Sequence, residues 1–303
     1  MPSRQQRVVR EKEKSRIKTV TKVLLTLIIK VIKLVLRRKI MRVVIQDNYD
    51  KMCKWAANYI AQKIKNHKED RPFVLGLPTG SSPIGVYKEL YTMNQKGELS
   101  FANVVTFNMD EYLGLPHEHD QSYWYFMHDN FFDHLVDMKP ENINILNGMT
   151  DDPEAECAAY EEKIASYGGI DLFMGGIGVD GHIAFNEPFT SLASRTGLRD
   201  LTTDTRIVNS RFFGNDPEAV PAQALSVGVG TVTDSKEVLI LINGHNKAKA
   251  LAETVEGSVS HKWTCSALQM HNGAIIACDE AACDELTVGA YKYFLDIESK
   301  ERL

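Results

Sequence analysis

IDLFMGGIGVDGHIAFNEP, Ile170 to Pro188, is the stretch on which the reading of this chain turns. An apolar run ends in Gly176, Gly178 and Gly181, which match the dinucleotide fingerprint G-x-G-x-x-G letter for letter. The same turn carries Asp180, His182 and Glu187, three groups that handle protons. A dinucleotide site needs a long helix after its last glycine, with the helix N-terminus on the pyrophosphate. HIAFNEP follows instead, and Pro188 keeps any helix there short. Asp200 lies near the spacing of a ribose-binding acid, but it follows a loop and not a second strand. The dinucleotide reading fails, and no cofactor is expected. Carboxylates beside His182 would fix its tautomer and make it a tunable proton shuttle. A metal held by Asp180, His182 and Glu187 is the competing use. No second clustered histidine supports it, so no metal is expected.

Outward from this stretch the chain alternates short apolar runs with amphipathic segments. The strand candidates are MRVVI (41–45), FVLGL (73–77), VVTFNM (104–109), IDLFMG (170–175), EVLILI (237–242) and GAIIAC (273–278). Helical patterns intervene at 49–67, 83–95, 152–168 and 246–257. Several strands are apolar throughout, as when helices cover both faces of a sheet. The expected fold class is α/β: a single doubly wound, mostly parallel sheet with helices on both faces, a Rossmann-like three-layer arrangement. Sites in such sheets lie at the carboxyl ends of the strands.

At 303 residues the chain is long enough for one large α/β domain. Hydrophobic content of 44% and charged content of 25% place it among ordinary soluble proteins. Five scattered cysteines with no C-x-x-C pair argue against a disulfide framework or a structural zinc, and for a cytoplasmic setting. The net charge of −5 hides a split: thirteen Lys/Arg against Glu11 and Glu13 make residues 1–40 about +11 and the rest about −16. A body this acidic does not suggest nucleic-acid binding. Two segments are therefore expected, a basic amphipathic extension at 1–40 and a catalytic domain at 41–303. Within the extension, Lys18, Lys22, Lys30, Lys33 and Arg37 would share one helical face, the pattern of a helix lying on an anionic membrane. The longest uncharged run, Val23 to Ile29, is too short to span a bilayer. Met41 opens a good first strand and could be the true start, leaving the extension without a role.

Three more strand ends carry chemistry. After FVLGL, Pro78-Thr79-Gly80-Ser81-Ser82 leads into a helix at Pro83, and free N–H groups with the Thr79, Ser81 and Ser82 hydroxyls would cradle a phosphate. G-x-x-x-x-G-K-[ST] is absent, which argues against a P-loop. After VVTFNM, Asp110 and Glu111 emerge from a buried strand. A carboxylate there can become a base toward a substrate C–H, or simply cap a helix. After EVLILI, Lys247 falls in the first turn of the next helix, where a bound anion would explain an otherwise unfavourable cation. Arg211 is a second candidate for the same anion.

Together LGLPTGSSP, VVTFNMDEYLGLP, GGIGVDGHIAFNEP, SLASRTG, NSRFF and SVGVGT resemble the glucosamine-6-phosphate deaminase family, from Met41 to about residue 297. FNMDEY and DGHIAFNEP are specific to it; the phosphate loop is shared with wider sugar-phosphate relatives. The resemblance implies an open-chain amino-sugar phosphate deprotonated at C2 and reprotonated at C1, giving an iminoketose that loses ammonia. Asp110 would be the base, and His182 would open the ring with Asp180 and Glu187 setting its charge. Thr79, Gly80, Ser81, Ser82, Arg211 and Lys247 would hold the phosphate. It also implies a homo-oligomer, a hexamer in some members, activated by N-acetylglucosamine 6-phosphate. The matching effector residues are Thr190, Gly197, Arg199, Asp200 and Tyr293. Gly197 stands where activated members have an arginine and Asp200 adds a carboxylate, so activation is expected to be weak or absent. The competing readings are a related isomerase or lactonase and a sugar-phosphate-sensing regulator of the same fold.

Overall fold

The computed structural model describes residues 41–303; residues 1–40, with the basic extension expected there, lie outside the described residues. Seven strands make one parallel sheet: β1 (Arg42–Gln46), β2 (Phe73–Leu77), β3 (Val104–Asn108), β5 (Ile143–Asn144), β6 (Leu172–Gly176), β9 (Glu237–Ile242) and β10 (Ala274–Asp279). Their order is β1-β10-β9-β6-β2-β3-β5. All six expected strands form, with boundaries displaced by no more than two residues.

Their legibility has a simple cause. Side chains alternate across a strand, and here both faces are dry. Val74, Val105, Phe107, Phe173, Val238 and Ile240 enter one core with α4 (Pro153–Ser166), α7 (Ala248–Val255) and α8 (Val288–Ile297). Leu75, Leu77, Leu172, Met174, Leu239 and Leu241 enter the other with α1 (Tyr49–Asn66) and α2 (Ile84–Gln95). Each fully buried aliphatic side chain stabilises by roughly 1.5–3 kcal/mol, so a charge on either face would be excluded. Local chemistry sets where helices begin. The Asn48 side chain accepts from Lys51 N ahead of α1, and Asp152 Oδ1 accepts from Ala155 N at 3.0 Å ahead of α4, with Pro153 opening the helix.

A second sheet was not anticipated. β4 (Asp110–Tyr112), β8 (Gln223–Ser226) and β7 (Gly197–Asp200) pair antiparallel in that order. The single sheet of the sequence reading is corrected to a parallel sheet with this small companion, whose strands are too short and too polar to stand out by pattern. It grows directly from the end of β3: Met109 N donates to Leu77 O at 2.9 Å and Val227 N to Met109 O at 2.9 Å.

The strand order locates the site. From β2 the chain moves outward through β3 to β5, then returns to β6 and moves the opposite way through β9 to β10. Sheet direction therefore switches between β2 and β6, and a crevice outside the carboxyl ends forms where connections diverge. The four loops singled out by sequence follow β2, β3, β6 and β9, the four adjacent central strands. Among the described residues no helix is long and apolar enough to cross a membrane.

Candidate active site

The loop after β6 answers the question its glycines raise. No helix follows Gly181, and Gly178 serves the side chains of its own turn. A Cβ on Gly178 would lie 2.4 Å from Asp180 Oδ1 and 2.6 Å from His182 Nδ1, so only glycine leaves room for that pair. Gly181 has φ +78°, the left-handed conformation that closes the turn. His182 Nδ1 lies 2.8 Å from Asp180 Oδ1 and 3.8 Å from Glu187 Oε2. The first contact is close but poorly aligned, so Nδ1 and Glu187 Oε2 both lack a well-directed hydrogen-bond partner. Burial works against ionised Asp180, but the imidazole 2.8 Å away and the backbone N–H of His182, 3.3 Å from Oδ1, outweigh it and hold the carboxyl below its ordinary value. The three residues present one ligand atom each within 4.8 Å of one another, a set that could hold a cation as well as move a proton.

Glu187 is oriented by residues that sequence reading missed. Its Oε1 accepts from Thr205 Oγ1 at 2.5 Å and from Thr202 N and Oγ1 at 3.3 Å. These belong to the start of α5 (Thr203–Asn209), whose N-terminus also favours a negative charge. Nothing in TTDTRIVN marks it as a partner of a loop so far upstream.

After β3 the environment is dry. Asp110 is 6% exposed, and among the described residues its Oδ1 has no partner. Burial first, then the charge of Glu111, pushes its carboxyl well above the ordinary value. Asn108, the last residue of β3, is fully buried with both side-chain polar atoms unpartnered. Buried polar groups are nearly always satisfied, so this cluster of orphans marks a working surface. Asn108 was also missed, although an asparagine closing an otherwise apolar strand was visible in FNMDEY.

The loop after β2 has the expected form. Pro83 stands at the N-cap of α2 with helical dihedrals and no side-chain cap; of the N–H groups that follow, Gly85 N donates to Tyr49 Oη at 3.0 Å and Val86 N acts on the Cys53 thiol. Ser81 is exposed and Thr79, Gly80 and Ser82 are half-buried, with Ser82 Oγ donating to Asn243 Oδ1 at 2.6 Å. Thr79 lies near enough to the Tyr123 phenol to act on it, which adds Tyr123 to the site.

After β9, Lys247 sits at the N-cap of α7 and not inside its first turn, because a 3-10 turn, His245–Lys247, intervenes. Lys247 Nζ donates to Ile177 O at 2.7 Å, tying this loop to the one after β6. Burial lowers its ammonium to about 8; Asp180 opposes the shift and Arg211 adds to it. Arg211 and Lys247 thus feel each other, two cations on converging loops. Arg211 itself is exposed, with its guanidinium 4.6 Å from the Phe212 ring centroid.

The residues matching the effector segment do not form one site within this chain. Gly197, Arg199 and Asp200 lie on β7, and Thr190 N donates to Glu187 O at 3.0 Å. Tyr293 is on α8, half exposed, and among the described residues no hydrogen bond joins it to the others. Arg199 is turned inward, donating to Asn186 Oδ1 at 3.2 Å, Leu198 O at 3.0 Å and Arg195 O at 2.7 Å. A Cβ at position 197 would lie 2.8 Å from Arg199 Nη1, so a side chain there would displace that end of the guanidinium.

Residues 47–277 match the model of a family described as glucosamine-6-phosphate isomerases/6-phosphogluconolactonase. The chain is 64% identical over 261 residues to a glucosamine-6-phosphate deaminase of Bacteroides thetaiotaomicron, across 86% of this chain and 96% of the relative. To that of Parabacteroides distasonis it is 62% identical over 260 residues, across 85% and 96%. Among solved structures it is similar to a monomeric glucosamine-6-phosphate deaminase, with a TM-score of 0.76 and 41% identity across 80% of this chain and 98% of that one. A 6-phosphogluconolactonase from Thermotoga maritima gives a TM-score of 0.62 at 20% identity across 79% of this chain and 100% of that one, a likeness of fold alone.

Proposed function

The chain belongs to the glucosamine-6-phosphate isomerase/6-phosphogluconolactonase family, and we propose that it converts glucosamine 6-phosphate and water into fructose 6-phosphate and ammonia. The observation that carries this reading is the buried Asp110 carboxyl, raised and unpartnered at Oδ1, beside a separate Asp180–His182–Glu187 cluster. Opening a sugar ring and moving a carbon-bound proton are two tasks that need two differently tuned groups. Lactone hydrolysis has no carbon-bound proton to move, so Asp110 favours deamination over the lactonase alternative. The regulator alternative is not favoured either, since the curated relatives are deaminases matched over 96% of their length.

In the proposed sequence the phosphate rests on Thr79 to Ser82, Lys247 and Arg211. His182 moves a proton between the ring oxygen and the C1 hydroxyl, giving the open-chain aldehyde. Asp110 takes the proton from C2, the electron pair forms the C1–C2 double bond, and the C1 carbonyl oxygen gains a proton to give the enolamine. Return of a proton to C1 gives the 2-iminium ketose, and water then adds to C2 and replaces the nitrogen, releasing ammonia. A remote phosphate anchor orients C1 and C2 against Asp110.

Weak or absent activation by N-acetylglucosamine 6-phosphate belongs to the same proposal. It is supported by an Arg199 with three of its five donors already engaged and by the missing cation at Gly197. A homo-oligomer and a cytoplasmic location are proposed from the family resemblance and the five free cysteines; light scattering on the purified protein measures the first. The reaction is tested by assaying ammonia and fructose 6-phosphate in parallel from glucosamine 6-phosphate. Equal amounts are expected, and no ammonia from folded protein would refute the reading.

A further inference from the structure

Glu111 has no part in the chemistry above, yet it is among the most enclosed acids of the molecule, 1% exposed on β4 beside Asp110. Its Oε1 accepts from Tyr112 N and Tyr123 N at 2.8 Å each, and its Oε2 accepts from Trp124 N at 2.8 Å. Tyr123 and Trp124 open α3 (Tyr123–Asn130). The next donors, Tyr125 N and Phe126 N, go to Ser122 Oγ at 3.0 Å and Ser122 O at 3.1 Å. The free N–H groups of Tyr123, Trp124 and Tyr125 are thereby satisfied, two of them by a carboxylate from another element.

The tie reaches the site from two directions. Tyr123, fixed by its backbone, stacks on Phe185 with ring centroids 6.0 Å apart, and its phenol lies near enough to Thr79 to feel that hydroxyl. It thus lies between the loop that holds His182 and the loop after β2. On the other side Glu111 is the immediate neighbour of Asp110. The titratable groups that in turn feel Asp110 are phenols: Tyr112 from β4, Tyr87 from α2, Tyr123 from α3 and Tyr160 from α4. Burial keeps all four uncharged at neutral pH. Glu111 is therefore the source of charge against Asp110 among the described residues.

We propose that Glu111 is a positioning residue: its carboxylate pins the start of α3 to β4 and, when ionised, places a negative charge beside Asp110, making Asp110 a stronger base toward a carbon-bound proton. The proposal rests on the reading of Asp110 as the base. Three N–H donors that can only be accepted, never donated to, favour the ionised form of Glu111. They work against burial, which pushes this carboxyl up to about 7. A like charge disfavours ionised Asp110 and so raises its affinity for a proton, and base strength follows that affinity.

The test is the pH profile of kcat/KM for ammonia release by Glu111→Gln and Glu111→Asp, with thermal melts as a check on folding. Removing the charge should move the acid limb of Glu111→Gln down by about one pH unit, since a nearby like charge is worth at least that much. Its plateau should fall as well. Glu111→Asp keeps the charge on a shorter arm, so turnover should drop while the limb stays in place. A limb unmoved in Glu111→Gln would overturn the proposal whatever the loss of activity, because a purely structural role lowers the plateau alone. If Glu111→Gln does not fold, a limb displaced in Glu111→Asp would overturn it equally, and one unmoved would support it. Asp110→Asn separates the two failures. Near-normal ammonia release by that variant would sink the base reading itself, whereas an inactive Asp110→Asn with an unmoved limb in Glu111→Gln would sink this inference alone.

Discussion

Asp110 and Asp180 each stand just past a parallel strand of the same sheet, and the fold drives their carboxyls in opposite directions. Asp110 is enclosed by phenols and apolar side chains, faces the charge of Glu111, and is raised. Asp180 is more open, lies 2.8 Å from an imidazole, and is lowered. Chain chemistry is identical at the two positions; solvent and neighbours differ. The pair teaches that a role is set by environment: the dry acid suits a task of accepting a proton, the paired one a task of standing charged beside His182.

Substitution by asparagine breaks this comparison most sharply. Asp110→Asn should lower kcat/KM for ammonia release by about a thousandfold, the scale of a lost general base. Asp180→Asn should cost roughly tenfold to a hundredfold, because ring opening also proceeds unaided in water and His182 remains. Comparable losses in the two variants would mean that the carboxyls share one task.

A third titrating group sets the alkaline side. Lys247 in the free protein loses its proton near pH 8. Below that it is a cation facing an anionic substrate, and above it is not. The kcat/KM should therefore fall as pH rises past about 8 and approach a level roughly tenfold lower, the value of one charge-assisted phosphate contact. Lys247→Ala should sit at that lower level and show no alkaline limb of this origin.

Stability offers the smallest effect and an opposite sign for each acid. The raised carboxyl of Asp110 gives stability that is complete below its ordinary value of about 4 and is lost as pH rises through its folded value. Asparagine carries no charge at any pH, so Asp110→Asn should melt higher than the parent at pH 8. The depressed carboxyl of Asp180 gives stability present above about 4 and lost as pH falls through its folded value. Asp180→Asn should melt lower at pH 8, and the difference should vanish in strong acid. Melting curves at pH 8 and pH 3 check both signs.

What was legible in the sequence follows the same division. The seven-stranded sheet showed in six apolar runs because each strand is dry on both faces, and the two-residue β5 alone was too short to see. Asp110, Asp180, His182 and Glu187 showed because each stands at a strand end among glycines or apolar neighbours. Missed features depend on residues remote in sequence. The small sheet joins strands of three and four residues, Thr202 and Thr205 reach Glu187 from another helix, and Glu111 caps a helix twelve residues on. The sequence reading left Glu111 and Asp110 open between cap and base. The structure gives Glu111 the cap and leaves Asp110 Oδ1 unpartnered.

The most direct test of the division between the two acids is deuterium uptake. Glucosamine 6-phosphate is turned over in heavy water by the parent, Asp110→Asn and Asp180→Asn, and deuterium at C1 of fructose 6-phosphate is followed by NMR. The account predicts uptake at C1 by the parent and, more slowly, by Asp180→Asn, with none above background from folded Asp110→Asn. Uptake by Asp110→Asn at the parent's rate, or its loss in Asp180→Asn alone, would contradict the claim that Asp110 handles the carbon-bound proton.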